Sequence, residues 1–362
     1  MKSSTHRLST DYWLFSVVSA LIMLGIIMVF SASAALSPTQ FNRVLALQLG
    51  CSLVCFVILF FCMGWDYRKL NRSWVVLALL ALTMLLLILV FFFPAKNGAH
   101  RWIQFYLLGF QPAELTKISL IVFLAWYLEQ YGAKINHPGV LALCGLPFAV
   151  LLGLVLLQPD LGTALCLAVV FTLLLFLVRI KWIYILMAGL AALPALYLFL
   201  FQVPFRWRRL VAFLDPFQDP LGAGYHVRQS LVAIGNGGIL GQGLGEGKAK
   251  LFFLPESNTD FIYAVIGEEL GLWGALLVLT LFVILFWRGL RAALHAPDLF
   301  GAYLALGLTL VLVLQAMVNM SVALSLVPTK GITLPFVSKG GSSLIMSALA
   351  AGLLLNIAQE GS

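Results

Sequence analysis

Apolar runs of about 20 residues recur from one end of the chain to the other, and they limit the possible fold more than any other feature. A bilayer core about 30 Å thick takes about 20 helical residues to cross. Only 10% of the residues are charged and 62% are hydrophobic, whereas a soluble domain is about one quarter charged. We therefore predict an all-α polytopic membrane protein of about ten transmembrane helices. The predicted spans lie near residues 12–34, 43–63, 74–93, 111–131, 139–157, 161–179, 182–201, 259–287, 299–326 and 339–358.

The spans leave one long connection, an outer loop at residues 202–258 between the seventh and eighth helices. A connection of this length is usually functional or disordered. Apolar residues at near-helical spacing within it, including Val227, Leu231 and Ile234, predict a short amphipathic helix at the membrane interface. No internal repeat stands out, and we predict a single transmembrane domain over residues 1–362.

The distribution of positive charge predicts how the bundle is oriented. An even number of spans puts both termini on one side, and a cytoplasmic N-terminus gives the cytoplasmic segments about twice the Lys and Arg of the short outer segments. We therefore predict that both termini are cytoplasmic. Much of the net charge of +8 then faces lipid head groups, so we expect no nucleic-acid partner.

The sequence also excludes several kinds of chemistry. Its five cysteines all lie inside apolar runs, and no pair has the spacing of a disulfide framework or a metal site. There is no Walker A motif, no HExxH motif and no nucleophile elbow. We expect neither a nucleotide nor an organic cofactor.

Ionisable residues inside predicted spans suggest a functional site, because charge is costly within lipid. Glu114 and Lys117 lie in the first two turns of the fourth span, Asp160 opens the sixth span, and Asp260 opens the eighth. In the predicted topology all four lie at one depth near the outer face. Glu114 and Lys117 are three residues apart, so they can pair and simply brace the bundle. Asp160 could be only a helix cap, whereas Asp260 has the character of a base facing a polar vestibule.

Glu268 and Glu269 also lie in the predicted eighth span. In a continuous helix they would lie about 12 Å deeper than Asp260, at 1.5 Å per residue. We interpret them as structural or supporting groups of the polar network.

Cationic and small polar residues near the outer face are candidates for binding an anion. Arg101 and Trp102 lie in the outer segment between the third and fourth spans, either as an interface anchor or as part of a site for a lipid-linked phosphate. Gly340 and Gly341 open the tenth span and permit close backbone approach. Other candidates near that site are Lys339, Ser342, Ser343, Arg208 and Arg209.

Six motifs occur in an order that is typical of one family. They are Asn97-Gly98-Ala99-His100-Arg101-Trp102, Gln111-Pro112-Ala113-Glu114-Leu115-Thr116-Lys117, Gln158-Pro159-Asp160-Leu161-Gly162-Thr163, Leu254-Pro255-Glu256 to Thr259-Asp260-Phe261, Gly267-Glu268-Glu269-Leu270-Gly271, and Ser338 to Ser343. In this the chain resembles the SEDS (shape, elongation, division and sporulation) family of bacterial cell-wall membrane proteins. Segments such as Arg208-Arg209-Leu210 and Pro328-Thr329-Lys330-Gly331 resemble the division type, with the elongation type as a close rival. Lys339 departs from the family pattern, which usually has Tyr there.

The resemblance implies a peptidoglycan glycosyltransferase that polymerises lipid II at the outer face of the cytoplasmic (inner) membrane. It implies that Asp260 is the catalytic acidic residue, with Glu114, Lys117 and Asp160 as an essential polar network. It also implies a class B penicillin-binding protein as partner, together with other divisome or elongasome membrane proteins. A divalent cation such as Mg²⁺ or Mn²⁺ is a further expectation of the family.

Two other functions fit the same residues. A lipid II flippase would need carboxylates reachable from both faces, and Glu268 and Glu269 at mid-depth would support it. A scaffold that only holds its partner would not need the acidic cluster at all. The clustering of the acids near one face favours the enzyme.

Overall fold

The computed structural model describes residues 11–34, 37–95, 98–105, 108–201, 213, 224–248, 250, 258–329 and 331–361. These residues form eleven α-helices, three short 3₁₀ helices and one small hairpin. The α-helices are α1 (Tyr12–Ala32), α2 (Pro38–Met63), α3 (Ser73–Leu89), α4 (Pro112–Tyr131), α5 (Pro138–Leu157), α6 (Leu161–Leu177), α7 (Trp182–Phe201), α8 (Tyr225–Gly237), α9 (Ile262–His295), α10 (Leu299–Ala323) and α11 (Gly341–Glu360). The 3₁₀ helices are Tyr67–Asn71, Val90–Phe92 and Gly132–Lys134, and the strands are β1 (Ile103–Phe105) and β2 (Leu108–Phe110).

The ten long helices coincide with the ten predicted spans, and α8 is the predicted amphipathic helix. Among the described residues, α1, α2, α3, α5, α9, α10 and α11 are long and apolar enough to cross a membrane, and α6 and α7 are shorter apolar helices. Large apolar side chains such as Leu53, Phe61 and Trp273 are more than half exposed on the outside of the bundle, where lipid would cover them. The predicted all-α polytopic membrane fold is confirmed.

Small residues let the helices approach closely, which is how helices associate in lipid. A Cβ atom added to Gly352 of α11 would lie 2.7 Å from Cys62 of α2. Likewise, one added to Gly289 of α9 would lie 2.1 Å from the Thr309 hydroxyl of α10. Glycine at these two positions therefore lets α11 approach α2, and α9 approach α10, more closely than a larger residue would.

Salt bridges join the helices at the end of the bundle where α1 begins and α11 ends. We call this the inner end, because the predicted topology places it at the cytoplasmic face. Arg288 of α9 pairs with Asp11, at 2.5 Å, ahead of α1. Arg68 bridges Asp298 at 3.1 Å and Glu360 at 2.8 Å, which connects the ends of α2, α10 and α11. The opposite, outer end is built differently.

The first irregular feature of the outer end is a break in α9 at Gly271, where φ is 66° and ψ is −160°. The Tyr263 hydroxyl donates to the Ala275 carbonyl at 3.3 Å, so residues 262–270 fold back beside the following turns instead of continuing them. A Cβ atom at Gly271 would lie 2.3 Å from the backbone nitrogen of Gly241, so only glycine fits at this position. The prediction of one continuous eighth span over residues 259–287 is wrong here.

The second irregular feature is the segment 331–340, which connects α10 to α11 and is mostly buried. A Cβ atom at Gly25, in the middle of α1, would lie 2.5 Å from the Phe336 carbonyl oxygen. One at Gly341 would lie 3.4 Å from Cys51 of α2, which is about 20 Å along that helix from its first residue at 1.5 Å per residue. Non-helical backbone therefore enters the bundle from the outer end, which is tolerated because protein surrounds it.

Candidate active site

Asp260 lies where the residues just before α9 meet segment 331–340. It precedes the first half of α9 and is half-buried. The Asn319 amide of α10 donates to the Asp260 carbonyl at 2.8 Å and to the Ile332 carbonyl at 2.7 Å. The Asp260 carboxylate faces Gly331, where an added Cβ atom would be 3.1 Å from Oδ2. Glycine thus leaves room for the carboxylate beside the backbone of the second segment.

Further bonds join the residues before Asp260 to segment 331–340. The Ser338 hydroxyl donates to the Thr259 carbonyl at 2.6 Å and accepts the backbone N–H of Leu334 at 2.8 Å. The backbone N–H of Lys339 donates to the Asn258 carbonyl at 2.9 Å. The two segments therefore form one connected wall, in which buried backbone groups are satisfied without a helix.

A buried ion pair approaches this wall from α4. Lys117 and Glu114 lie 2.7 Å apart, and both side chains are more than 90% buried. Lys117 also donates to Gln315 Oε1 of α10 at 2.5 Å. Gln315 in turn donates to the Thr333 carbonyl at 3.0 Å, and the Thr333 and Ser343 hydroxyls are 2.8 Å apart. A continuous polar chain therefore runs from α4 through α10 to the start of α11.

Asp160 caps α6, as the cap interpretation predicted. Its carboxylate accepts the backbone N–H of Thr163 at 3.2 Å and the Thr163 hydroxyl at 2.9 Å. Gln111, just ahead of α4, reaches the same carboxylate at 3.3 Å. An added Cβ atom at the neighbouring Gly162 would lie 2.7 Å from the Ile332 side chain. The start of α6 therefore adjoins segment 331–340 beside the other site residues.

Arg101 and Trp102 lie beside the same turn. The Arg101 guanidinium donates from Nε to the Gln158 carbonyl at 2.8 Å and also contacts the Pro159 carbonyl. Trp102 packs against Gly109 of β2, where an added Cβ atom would be 3.1 Å from the indole ring. Two nitrogen donors of the Arg101 guanidinium therefore bind the connection between α5 and α6.

The remaining candidates near the start of α11 differ in their surroundings. Ser343 belongs to the polar chain described above, and Ser342 is buried with 4% of its surface exposed. The Lys339 side chain is half-buried. Arg208 and Arg209 lie outside the described residues, as do Lys330 and the Leu254-Pro255-Glu256 motif.

Glu268 and Glu269 lie at the outer end of the bundle, so the prediction that they lie 12 Å deeper than Asp260 in a continuous span is wrong. Glu269 accepts the Ser31 hydroxyl at 2.6 Å, next to the outer end of α1, and the Lys250 ammonium at 2.8 Å. Glu268 accepts the backbone N–H of Lys248 at 3.0 Å. The physical reason is the break at Gly271, after which the chain starts its crossing.

The break also explains how the glycine-rich part of the outer loop docks. The carbonyls of Glu268 and Glu269, just before the break, accept backbone N–H groups from Gln242 and Gly243 at 3.0 Å each. The N–H of Leu272 donates to the Gly238 carbonyl at 3.0 Å. Residues 238–243 therefore complete the hydrogen bonding of the broken helix.

Sequence reasoning missed Gln315 and Asn319, because it considered only charged residues within spans. A usable signal was present: two amides four residues apart in an apolar helix share one face. Polar side chains in lipid are expected to face the interior of the bundle.

A divalent cation is an expectation of the family resemblance. The described residues contain no group of three or more His, Cys, Asp and Glu side chains close enough to hold an ion. The expected divalent cation stays a prediction.

Residues 12–362 match the family of cell cycle proteins that comprises FtsW, RodA and SpoVE. The chain belongs to this family. Among its curated members, the probable peptidoglycan glycosyltransferase FtsW of Geobacter sulfurreducens is 43% identical over 358 residues, which cover 96% of this chain and 94% of the relative. The stage V sporulation protein E of Bacillus subtilis is 37% identical over 365 residues, with 98% and 99% covered.

Solved structures of the family share the whole fold. A chain from a study of polymerization and crosslinking by a peptidoglycan synthase complex is 30% identical, with a TM-score of 0.80 and 98% of both chains covered. The rod shape determining protein RodA of Thermus thermophilus is 30% identical, with a TM-score of 0.71 and 97% of both chains covered. The predicted family, fold and enzyme class, a multi-pass membrane peptidoglycan glycosyltransferase similar to FtsW, are confirmed.

Proposed function

We propose that the chain polymerises lipid II into glycan strands at the outer face of the cytoplasmic membrane during cell division, with Asp260 as its catalytic base. The observation that carries the proposal is the position of Asp260. Its half-buried carboxylate lies beside the non-helical segment 331–340, which enters the bundle from the outer end. Such segments within a membrane are tolerated where they line a cavity or are buried in protein.

The reaction joins a sugar hydroxyl of one chain to the anomeric carbon of another, whose leaving group is a lipid pyrophosphate. A carboxylate within hydrogen-bond reach can take the hydroxyl proton as the new carbon–oxygen bond forms and the bond to the pyrophosphate breaks. Asp260 fills that role in our proposal. With one base and no second carboxylate as nucleophile, a single displacement inverts the anomeric centre, by analogy with inverting glycosidases.

The leaving pyrophosphate gains negative charge, which nearby cations stabilise. In our proposal Lys339, just before α11, and Arg101, beside the connection between α5 and α6, contribute, and Arg208 and Arg209 act from the outer loop. Glu114, Lys117 and Asp160 support the wall on which Asp260 is held. A divalent cation, Mg²⁺ or Mn²⁺, is kept as a proposal from the family resemblance, and no step described here depends on it.

We further propose that both termini are cytoplasmic, that the protein acts at the division septum, and that it assembles with a class B penicillin-binding protein and other divisome membrane proteins. The clustering of Lys and Arg near one set of segment ends supports the orientation. A related chain studied as part of a peptidoglycan synthase complex supports a partner.

The test is polymerisation of purified lipid II in detergent by Asp260→Asn. A lost general base costs about 100-fold to 10,000-fold in rate, so we expect essentially no glycan product from a variant with unchanged thermal stability. Asp298→Asn is the matched control, because it makes the same change at the inner end and should retain activity. Polymerisation by Asp260→Asn at the wild-type rate would remove Asp260 from the proposed role.

The same experiment separates the enzyme from the flippase alternative, since nothing can be transported across a membrane in detergent. The flippase alternative rested on the predicted mid-depth position of Glu268 and Glu269. In the structure these residues lie at the outer end. Glycan formation in detergent supports the polymerase, whereas lipid II translocation in vesicles without polymerisation would support the flippase.

A further inference from the structure

Two amides on α10 connect the parts of the proposed site. Gln315 and Asn319 are four residues apart, so they lie one turn apart on the same face of the helix. Their exposed fractions are 4% and 1%. An amide this deeply buried in a spanning helix is costly unless its hydrogen bonds are made.

Asn319 bonds both to Asp260, ahead of α9, and to segment 331–340. Its two amide hydrogens go to the Asp260 carbonyl at 2.8 Å and the Ile332 carbonyl at 2.7 Å. Both acceptors are carbonyls, so the orientation of the amide group is fixed by its partners. One side chain therefore bridges the Asp260 backbone and segment 331–340, beside the bonds that Ser338 and Lys339 make to Thr259 and Asn258.

Gln315 makes the corresponding connection for the ion pair of α4. Its oxygen accepts from the Lys117 ammonium, which can only donate, and its nitrogen donates to the Thr333 carbonyl. Thr333 follows Ile332, the residue that Asn319 holds. The same short stretch of backbone is therefore bound by both amides.

Building on the proposed role of Asp260, we propose that Asn319 and Gln315 are positioning residues that hold the Asp260 backbone and the Lys117 ammonium in register against residues 332–333. A misplacement of about 1 Å at a reacting group can cost about 100-fold in rate. Loss of these bonds should therefore slow the chemical step while leaving substrate binding largely intact.

The test compares Asn319→Leu, which keeps the side-chain volume, with Asn356→Leu as its matched control. Asn356 of α11 is also a buried amide that binds backbone groups, the Met63 carbonyl and the Tyr67 N–H at 3.1 Å each, but at the inner end. Both variants should lose thermal stability. Only Asn319→Leu should lower kcat per folded molecule, by about 100-fold, with the KM for lipid II within about twofold.

A side-by-side assay of Asp260→Asn and Asn319→Leu separates a failure of the proposed function from a failure of the positioning role. Full activity of Asp260→Asn would overturn the proposed function. An inactive Asp260→Asn together with an unchanged kcat for Asn319→Leu would overturn only the positioning role.

Gln315→Met is the second variant, and it tests the positioning role of the α10 amides if Asn319→Leu does not fold. It removes the bonds to Lys117 and Thr333 without adding charge. We expect about a tenfold lower kcat with little change in KM. A loss of activity that only follows the folded fraction, for both variants, would mean that the amides are purely structural.

Discussion

Two buried Lys–Glu pairs occur among the residues that the structure describes, and their settings differ. Lys117 and Glu114 lie 2.7 Å apart on one helix, and the lysine also reaches Gln315 in the proposed site. Lys250 and Glu269 lie 2.8 Å apart but come from different elements, and Ser31 of α1 completes their cluster. The first pair belongs to the polar chain beside Asp260, whereas the second fastens the outer loop to the bundle.

The difference separates charge that is needed for chemistry from charge that is needed for attachment. A buried pair can often be replaced by neutral residues of similar size without loss of stability, whereas removing one partner is strongly destabilising. We therefore expect the Lys250–Glu269 pair to be replaceable as a unit. The Lys117–Glu114 pair should not be, because its ammonium is bonded into the site.

The largest effect is expected at the site pair. Lys117→Met leaves the Glu114 carboxylate buried without its partner, so it should cost about 3–5 kcal/mol of stability and lower the rate by about 100-fold or more. The double variant Glu114→Gln/Lys117→Met should regain most of the thermal stability but little activity. Lipid II polymerisation and thermal melting, measured on the same preparations, check both statements. Recovered activity in the double variant would mean that the Lys117–Glu114 pair, like the Lys250–Glu269 pair, can be replaced as a unit.

A smaller effect is expected at the fastening pair. Lys250→Met should lower the melting temperature by the same mechanism and reduce activity about tenfold, because the loop that covers the break in α9 loosens. The double variant Lys250→Met/Glu269→Gln should return to within about threefold of the wild-type rate. Persistent inactivity of the double variant, despite restored melting, would make this pair part of the chemistry as well.

A third substitution sharpens the attachment role. Ser31→Ala removes the hydroxyl that donates to Glu269 and leaves the ion pair in place. A hydrogen bond to a charged group is worth about 1.5–3 kcal/mol, so the loss of stability should be moderate, with polymerisation unchanged. Hydrogen exchange at residues 238–248 should show faster opening of the loop, and unchanged exchange there would contradict the attachment.

The smallest effect is expected at the inner end, where the bonds from Tyr67 and Arg68 to Asp298 are partly exposed. Burial alone would raise the pKa of Asp298, but hydrogen bonds from Tyr67, Gly301 and Arg68 outweigh it and lower the pKa on balance. A lowered folded-state pKa means that this stabilisation is present above the unfolded pKa of about 4 and is lost as the pH falls through the folded value. Tyr67→Phe should therefore cost about 1 kcal/mol near neutral pH and weaken the acid dependence of melting, with no effect on polymerisation.

The two pairs also show what a sequence can reveal. Glu114 and Lys117 are three residues apart in an apolar run, so helical geometry alone predicts their pairing. The partner of Glu269 could not be predicted, because Lys250 reaches it only through the fold of the outer loop. The break at Gly271 was missed for the same reason, since it depends on the distant Gly241 backbone. The spans and the Glu114–Lys117 pairing follow from local pattern, whereas the depth of a residue in the bundle follows from tertiary contacts.

The most direct test asks which side of the membrane Asp260 faces. An Asp260→Cys variant in sealed, right-side-out vesicles can be treated with a membrane-impermeant thiol reagent. The five native cysteines are buried, so the wild type serves as the unlabelled control. We predict labelling from the outside, lost when a lipid II analogue fills the site. Labelling only after the cytoplasmic side is exposed would contradict an active site at the outer face.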